Sequence, residues 1–367
     1  MQLRIPGPTP VPEEVLQAMT KQMINHRGKE FGELIHQLTD KLKGLFQTKE
    51  DVLILTGSGT GGMEAAVANT LSPGDKVLSV SVGAFGERFA NIAEQFGAEV
   101  KRLGFEWGSA ADPEAVRKAL QADPAIKAVL VTHNETSTGL TNDLGSISAV
   151  VKEFDKLLLV DAISSLGSIN LPVDDWQCDV VVTASQKGWM APPGLAMVSV
   201  SQKAWQAYAE AKMPRFYWDF AKAKRFLEEK GQTPWTPAVS TFYALAVALE
   251  LIEQEGLPNV FARHARVAKA ARDGIKSLGL SLFPDEAYAS NTITAIKAPP
   301  GVDVKRLLQV LREEHQVILA GGQQQLEGKI FRIGHLGWVT EADIGKVMAA
   351  LGVALPRAGY EVAQATQ

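Results

Sequence analysis

The sequence predicts an α/β protein, with a mostly parallel sheet of seven strands in a large domain and a smaller α+β domain at its C-terminal end. Short apolar runs rich in β-branched residues alternate with helical patterns, as in parallel sheets whose strands are buried on both faces. After about residue 203, long helices and short strands replace this alternation. The change of pattern indicates a second unit with its own sheet.

The large domain follows a proline-rich segment, residues 1–16, which predicts an extended arm lying over another surface. A helix over residues 31–46 comes next, because four leucines recur on one stripe: Leu34, Leu38, Leu42 and Leu45. Apolar runs then predict the seven strands, at residues 51–56, 76–82, 99–105, 128–133, 157–162, 180–185 and 194–201. Helical patterns lie between most of them, at 61–71, 85–97, 113–121 and 143–155.

The C-terminal part mixes the two kinds of element differently. Its predicted helices are 238–255, 259–278, 303–315 and 340–354, and its predicted strands are 279–283, 291–298, 317–321 and 329–334. The chain therefore divides into four predicted parts: an arm over 1–16, a large domain over 17–250, a small domain over 251–356 and a tail over 357–367.

Composition restricts the functional classes. The chain has 367 residues, 46% of them hydrophobic and 21% charged, as in an ordinary two-domain enzyme. Its net charge of −4 offers no basic face, so we expect no nucleic-acid partner. No apolar stretch approaches the roughly 18 residues of a membrane span, and we expect no membrane contact. The single cysteine, Cys178, excludes an internal disulfide and favours a reducing, cytoplasmic location.

A glycine-rich loop follows the first predicted strand. Gly57, Gly59 and Gly62 match the pattern G-x-G-x-x-G, which raises a dinucleotide-binding interpretation. That interpretation needs an acid at the end of the next strand, and the chain has none there. No Gly-Lys-Ser/Thr follows either, which excludes a Walker A loop. An anion site at a helix N-terminus, with Ser58 and Thr60, remains the better hypothesis, and a purely structural turn is the alternative.

Two strand ends carry isolated ionisable groups. Asp161 ends the run LLLVD, and Lys187 follows VVVTASQ, 26 positions later. Ligands of open α/β sheets bind outside the carboxyl ends of the strands, so we expect both groups to face one ligand. An amine that forms a Schiff base and an acid partner for a ring nitrogen are what a pyridine cofactor requires. A helix-capping aspartate and a solvated loop lysine are the alternatives.

Two further segments carry polar groups. The fourth predicted strand ends in His133-Asn134-Glu135-Thr136-Ser137-Thr138-Gly139, which supplies short hydrogen-bonding side chains to a ligand or forms a capped turn. Arg332 lies in FRIGHLG, where it is either a surface arginine or a bidentate clamp for a carboxylate. The six histidines have no ligand spacing, so we expect no metal site.

Taken together, these motifs resemble those of the class V aminotransferases. The resemblance extends from PGPTPVP to FRIGHLG and includes SGT, HNETSTG, LVDAISSLG, SQKG with APPG, and TPAVSTFYAL. This pyridoxal-phosphate family includes alanine–glyoxylate and serine–glyoxylate aminotransferases. The resemblance implies the fold of aspartate-aminotransferase-like enzymes, pyridoxal 5′-phosphate as cofactor, and a homodimer with its active sites at the domain and subunit junction.

The resemblance also implies individual roles. Lys187 corresponds to the Schiff-base lysine, Asp161 to the partner of the pyridine nitrogen, and Arg332 to the clamp on the substrate carboxylate. Phe85 stands where many relatives stack a tryptophan on the cofactor ring. The remaining implied cofactor contacts are to the phosphate (Ser58, Gly59, Thr60 and Gln186), to the ring oxygen (Ser137) and to the other subunit's cofactor phosphate (Thr233 and Thr236).

The implied reaction is transfer of an amino group from alanine or serine to glyoxylate or pyruvate, by a ping-pong mechanism. With one carboxylate clamp in a recognised motif, we expect substrates without a second acid group. A phosphonate-handling aminotransferase of the same family is an alternative that requires another cation near the substrate. A nicotinamide-dependent oxidoreductase and a non-catalytic partner subunit are alternatives from other classes.

Overall fold

A seven-stranded sheet forms the centre of the large domain in the computed structural model, which describes residues 1–360. Most of the predicted tail, residues 361–367, lies outside the described residues. The strands, in chain order, are β1 (Gln2–Leu3), β2 (Asp51–Thr56), β3 (Lys76–Ser81), β4 (Glu99–Gly104), β5 (Ala128–Thr132), β6 (Asn134–Glu135), β7 (Leu140–Thr141), β8 (Leu157–Asp161), β9 (Val180–Ala184), β10 (Leu195–Val200), β11 (Ile293–Lys297), β12 (Val317–Ile318), β13 (Ala320–Gly321) and β14 (Ile330–Gly334).

Twelve α-helices accompany these strands in the described chain. They are α1 (Glu13–Ala18), α2 (Lys29–Phe46), α3 (Gly59–Thr70), α4 (Ala84–Gln95), α5 (Pro113–Ala122), α6 (Leu144–Glu153), α7 (Gln202–Glu210), α8 (Phe220–Lys230), α9 (Val239–Glu255), α10 (Leu257–Ser277), α11 (Val304–His315) and α12 (Glu341–Arg357). The sequence did not predict α1, α7 or α8. Helix α8 lies inside the aromatic stretch between Phe216 and Trp235 and is capped by Asp219, which accepts from the backbone N–H of Lys222.

The large sheet has the order β2-β10-β9-β8-β5-β3-β4. Only β10 pairs antiparallel with its neighbours, so the predicted seven-stranded, mostly parallel sheet is confirmed. Strands β5, β8, β9 and β10 are buried along their whole length, because helices cover both faces of the sheet. The carboxyl ends of six strands therefore meet at one edge, where connecting loops of different origin lie side by side.

Two apolar cores cover the two faces of the sheet. One face packs against α2, α6 and α9, and its largest buried side chains include Phe31, Phe46, Trp189 and Phe242. The opposite face packs against α3, α4, α7 and α8, around Met63, Phe89 and Phe220. This three-layer arrangement holds the strand ends rigidly, because close-packed interiors permit little displacement.

The C-terminal part has its own three-stranded sheet, in the order β11-β14-β13, and its own core with α10, α11 and α12. The boundary predicted at residue 250 falls inside α9, which continues to Glu255. The N-terminal arm is extended as far as Pro12, and its last predicted residues, from Glu13, belong to α1. Strand β1 of the arm pairs in parallel with β12 of the C-terminal part.

Two strand predictions in the C-terminal part were wrong. Residues 279–283 form no strand, since Leu282 makes only an isolated bridge with Ile296 and Pro284, which has no N–H to donate, follows at once. The single strand predicted over 317–321 is two short ones, because β12 pairs with the arm while β13 pairs with β14. The second error concerns a partner, the arm, that is distant in sequence.

Candidate active site

A cavity of about 270 Å³ opens at the carboxyl edge of the large sheet. Loops that follow β2, β3, β5, β8 and β9 supply most of its wall, and the C-terminal part supplies Gln323. The sequence-predicted residues that line it are Ser58, Gly59, Thr60, Phe85, Asp161, Gln186 and Lys187. The fold therefore brings together seven side chains or backbone segments that span about 130 positions of the chain.

Asp161 and Lys187 lie at neighbouring strands of this edge. Asp161 is the last residue of β8, and the adjacent parallel strand β9 ends three positions before Lys187. The Asp161 carboxylate is buried and accepts a hydrogen bond from the backbone N–H of Ile163 through Oδ1, over 2.9 Å. Its second oxygen has no hydrogen-bond partner among residues 1–360. A ligand with a proton donor can therefore bind this free oxygen from the cavity.

The electrostatics of the pair follow from burial. Burial raises the pKa of Asp161 to about 7, although the Ile163 N–H and the Lys187 amine favour the ionised form. Burial also lowers the pKa of Lys187 to about 8, and the positive charges of Arg332 and Arg88 act in the same direction. Asp161 opposes that decrease. Both groups therefore titrate near neutral pH, which suits proton transfer.

The N-terminus of α3 faces the cavity. Ser58 is the N-cap residue, yet its side chain makes no capping hydrogen bond, so its hydroxyl and the first backbone N–H groups remain available to an anion. Gly59 lies so close to Ile163, another residue of the cavity wall, that an added Cβ would be 2.5 Å from the Ile163 Cδ1. Gln186 has a buried side-chain oxygen without a partner in the described chain. The uncapped helix end and the Ser58 hydroxyl form an anion site, whereas the free Gln186 oxygen is an acceptor and can bind only a donor.

Phe85 and a residue that the sequence analysis missed, Arg88, form another part of the wall. Both lie in the first turns of α4, and the Arg88 guanidinium is 4.6 Å from the centre of the Phe85 ring. Arg88 makes no ion pair or hydrogen bond with any of residues 1–360. The signal that could have identified it is its position one helical turn after Phe85.

The polar motif after β5 contributes differently from its predicted role. Thr136, and not Ser137, lines the cavity. Ser137 is fully buried, donates its hydroxyl proton to Glu135 over 2.6 Å, and accepts from the backbone N–H of Ala84 over 2.9 Å. The predicted contact of Ser137 with a ring oxygen therefore has no support in this geometry, because its hydroxyl is already committed to these two partners.

The N-terminal arm closes the cavity beside the lysine. The Lys187 Nζ donates to the carbonyl oxygen of Pro6 over 2.7 Å, and Thr9 binds the backbone carbonyls of Gln186 and Lys187. Gly7 has a φ of +135°, and a Cβ added there would lie 2.6 Å from the Lys187 amine. Sequence analysis missed this contact. The Pro-Gly-Pro spacing was the available signal for a tight approach of the backbone.

Arg332 lies immediately behind the wall, on β14. Its side chain is buried, and burial lowers the pKa of the guanidinium to about 10. Its Nη1 donates to the carbonyl of Thr136 over 3.0 Å and to Oε1 of Gln323 over 3.2 Å, while Nε donates to the carbonyl of Gly321. Its Nη2 has no partner in the described chain. One end of the guanidinium is thus fixed and the other is available.

Two predicted residues lie elsewhere. Thr233 is buried and donates its hydroxyl proton to the carbonyl of Trp235, and Thr236 is exposed. Neither lines the cavity of this chain. Within residues 1–360, no three His, Cys, Asp or Glu side chains converge as metal ligands would. In the same part of the chain, no helix has the length and apolar character needed to span a membrane.

The family model described as Aminotransferase class-V matches residues 2–336 of this chain. The Soluble hydrogenase 42 kDa subunit of Anabaena cylindrica is 46% identical over 364 residues, which cover 98% of this chain and 94% of that relative. The L-aspartate–glyoxylate aminotransferase of Paracoccus denitrificans is 38% identical over 357 residues, covering 95% and 88% respectively. The serine–glyoxylate aminotransferase of Methylorubrum extorquens is 37% identical over 372 residues, covering 98% and 92%.

A solved structure shows the same arrangement in three dimensions. The pyridoxamine–pyruvate aminotransferase from Mesorhizobium loti superposes with a TM-score of 0.95 and is 33% identical, covering 99% of this chain and 94% of that chain. The resemblance inferred from the motifs is therefore confirmed, and the nicotinamide-dependent alternative is wrong. This chain belongs to the class V aminotransferases: it is a transaminase, and its cofactor is pyridoxal 5′-phosphate.

Proposed function

We propose that this transaminase moves an amino group from a small amino acid, alanine or serine, to glyoxylate or pyruvate. The observation that carries the proposal is a cavity lined by Lys187 and Asp161, with one buried arginine, Arg332, directly behind its wall. One buried guanidinium suits substrates with one carboxylate. The aminotransferase relatives from Paracoccus denitrificans and Methylorubrum extorquens both have glyoxylate in their names, which supports glyoxylate as the acceptor.

The residues present fit the cofactor. The uncapped N-terminus of α3, with Ser58 and Thr60, would hold its phosphate, and Gln186 would donate to it from Nε2, since the partnerless atom of its side chain, Oε1, is an acceptor. The free oxygen of Asp161 would bind its ring nitrogen, and Phe85 would contact its ring. When bound, the cofactor supplies an aldehyde carbon that bonds to amino groups and a ring that accepts electrons.

Lys187 would act as the group that bonds to the cofactor and then moves the substrate's α-proton. Its pKa of about 8 lies below that of an exposed lysine, so a larger fraction of the amine is unprotonated at neutral pH. An unprotonated amine is the nucleophile that covalent attachment needs and the base that accepts the proton. The first product leaves before the second substrate binds, and ping-pong kinetics should result.

Arg332 and the arm would orient the substrate and exclude water. The free Nη2 of Arg332 can donate to a carboxylate, because the other nitrogens are held by Thr136, Gln323 and Gly321. Pro6 and Gly7 lie against the amine of Lys187, which reduces the access of solvent to that atom.

A phosphonate-handling transaminase is a second candidate, because Arg88 supplies the additional cation that this alternative requires. Arg88 lines the cavity and has no anionic partner among the described residues. The test is turnover of an aminoalkylphosphonate beside alanine, by wild-type enzyme and by Arg88→Ala. Selective loss of the phosphonate reaction in the variant would support this candidate, whereas no phosphonate turnover by the wild type would exclude it.

A non-catalytic partner subunit is the remaining alternative. The relative from Anabaena cylindrica is named as a hydrogenase subunit. Against that role for this chain, Lys187 and Asp161 are both present and line one cavity with perturbed pKa values, as catalytic groups do. Purified protein that binds cofactor but turns over no amino acid would favour the subunit role.

We also propose a homodimer whose partner completes each cavity. Thr236 is exposed and lies away from the cavity of its own chain, as a residue that serves another subunit's cofactor would, whereas the Thr233 hydroxyl donates to the carbonyl of Trp235 within its own chain. The mass in solution, measured by light scattering on the holoenzyme, tests this proposal, and a monomeric active enzyme would contradict it. A cytoplasmic location stays a prediction.

The deciding experiment is the visible spectrum of the purified protein with and without borohydride. We expect a yellow protein that loses its colour on reduction and carries the reduced cofactor on Lys187 in a peptide digest. Lys187→Ala should lose this label and transamination, by about 10⁴-fold or more, while the exposed Lys297→Ala serves as control. A panel of amino donors against glyoxylate and pyruvate then identifies the substrates. Retained turnover by Lys187→Ala would refute the assignment.

A further inference from the structure

Glu135 is a buried carboxylate that the mechanism above does not use. It lies on β6 with no solvent exposure, and five hydrogen bonds reach its two oxygens. Two come from Ser137, through its backbone N–H over 3.0 Å and its hydroxyl over 2.6 Å. Three come from the backbone N–H groups of Phe85 and Gly86, over 3.1 to 3.3 Å. Burial raises the pKa of Glu135 above its ordinary value, and the five bonds oppose that rise, because each partner is a donor and favours the ionised carboxylate.

These bonds complete the N-terminus of α4. The N-cap residue of α4 is Gly83, which has no side chain to bind the free N–H groups of the first turn. Ser137 accepts from Ala84, and Glu135 accepts from the next two amides. Helices α5, α6, α8 and α11 are instead capped by the aspartate that directly precedes each of them. The cap of α4 thus comes from a strand about 50 positions away.

The space around this cap is closely filled. A Cβ added to Gly83 would lie 2.5 Å from the Glu135 carboxylate carbon and 2.5 Å from the Ser137 hydroxyl. Glycine at this position therefore lets the two side chains reach the helix. The first residues that the cap holds are those that face the cavity, since Phe85 is itself one of its donors and Arg88 follows one turn later.

We propose that Glu135, with Ser137, is a positioning residue that sets the Phe85 ring against the cofactor by capping α4 from the neighbouring strand. This positioning role rests on the proposed function, because it concerns the cofactor site of the same reaction. Glu135 does not itself line the cavity, whereas its neighbour Thr136 does. Its effect on the cofactor is therefore transmitted by the backbone of α4. The negative charge also favours this arrangement at the positive end of a helix.

The test is a double-mutant cycle on the affinity for pyridoxal 5′-phosphate, with Glu135→Gln, Phe85→Ala and the double variant. Glutamine keeps one acceptor oxygen, removes the charge and replaces the other oxygen with an NH₂ group. Either the Ser137 N–H or the Gly86 N–H then faces a donor, so the cap is weakened with little change of shape. If Glu135 acts through Phe85, we expect the dissociation constant to rise about tenfold in Glu135→Gln, and the double variant to match Phe85→Ala within about twofold. Additive effects, or an unchanged constant in Glu135→Gln, would overturn the proposal.

Hydrogen exchange on the cofactor-free protein gives a second readout. Glu135→Gln should lose protection in peptides that contain residues 84–86 and keep it in α5. Asp112→Ala, which removes the local cap of α5, is the control and should leave cofactor affinity within about twofold of wild type. If Glu135→Gln does not fold, Ser137→Ala replaces it, since it removes one helix acceptor. Unchanged protection at 84–86 would count against the proposal.

A wild-type protein that fails to bind the cofactor or to transaminate would contradict the proposed function instead. The two failures are therefore distinguishable. The positioning role is overturned if the wild-type enzyme reacts normally and Glu135→Gln has either no effect or an effect that adds to that of Phe85→Ala.

Discussion

The two walls of the cavity are built in different ways. The sheet wall, formed by Ser58, Thr60, Asp161, Gln186 and Lys187, comes from loops at one edge of a single buried sheet. The arm wall, as we name it, is Gln323 of the C-terminal part with Arg332 directly behind it, together with Pro6 and Gly7 of the N-terminal arm, which lie against the Lys187 amine. It is assembled from two parts of the chain, the arm and residues 323–332, that are more than 300 positions apart.

The sheet wall is fixed by core packing. Strands β8 and β9 are fully buried and hydrogen-bonded to each other, so the positions of Asp161 and Lys187 follow from the register of the sheet. Groups that must act on the same few atoms benefit from such a rigid support, because small displacements reduce rates strongly.

The arm wall depends on a few specific bonds. The backbone of Arg4 donates to Ile318 over 2.8 Å and accepts from Gly334 over 2.7 Å, and its buried side chain forms an ion pair with Asp343. The Lys187 amine then joins the arm to the sheet wall. The comparison indicates that the proposed catalytic groups, Asp161 and Lys187, lie on the rigid wall, while the proposed substrate contact, Arg332, lies on a wall that is held by individual contacts.

The largest effect should come from the sheet wall. Asp161→Asn keeps an oxygen for the Ile163 N–H but loses the charge that would keep a ring nitrogen protonated. We expect the rate of α-proton loss to fall by roughly 10² to 10⁴-fold, with cofactor still bound. Single-turnover kinetics with alanine measure it, and Asp303→Asn, at the cap of α11, is the control. An unchanged rate would contradict the role of Asp161.

The next effect tests the arm wall. Arg332→Ala should lower kcat/KM for amino donors by roughly 100-fold, because a buried charge-assisted contact to the substrate carboxylate is lost. Arg332→Lys should recover little of it, since lysine cannot reproduce the forked geometry. The dissociation constant of the cofactor should stay within about twofold of wild type. Equal losses of cofactor affinity and substrate affinity would show that Arg332 supports the cofactor as much as the substrate, which would contradict a role in substrate binding alone.

A smaller effect is expected where the two walls meet. Gly7→Ala places a Cβ against the Lys187 amine, at a φ of +135° that side chains rarely adopt. The arm should shift, and we expect kcat/KM to fall about tenfold. Borohydride reduction should still attach the cofactor to Lys187. Gly345→Ala in α12, where an added Cβ meets nothing within 4 Å, is the matched control. Wild-type kinetics for Gly7→Ala would show that the arm contact is dispensable.

The smallest effect concerns the stability of the cofactor-free protein. The pKa of Asp161 is raised from 3.8 to about 7 on folding, so the folded chain binds more protons between these values, and stability from this group decreases as pH rises through that range. Asp161→Asn removes the unfavourable free energy of burying an ionised carboxylate at this position. We expect its melting temperature to exceed that of wild type by a few degrees at pH 8 and by less at pH 4. A melting-temperature difference that does not change with pH would contradict a raised pKa of Asp161 in the folded protein.

Much of the sheet wall could be predicted from the sequence. Apolar periodicity places Asp161 and Lys187 at strand ends, and the rule for open parallel sheets brings such ends together. The glycine loop with Ser58 and Thr60 was found in the same way. These inferences succeed because strands that are buried on both faces have a local signature.

What only the tertiary structure decided are the contacts between segments that lie far apart in the chain. The approach of Pro6 to Lys187, the lining position of Thr136 in place of Ser137, and the pairing of β12 with the arm, which divides the strand predicted over 317–321, all belong to this class. No local pattern specifies them, because side-chain direction and backbone pairing at such positions depend on which partner surface folding brings into contact.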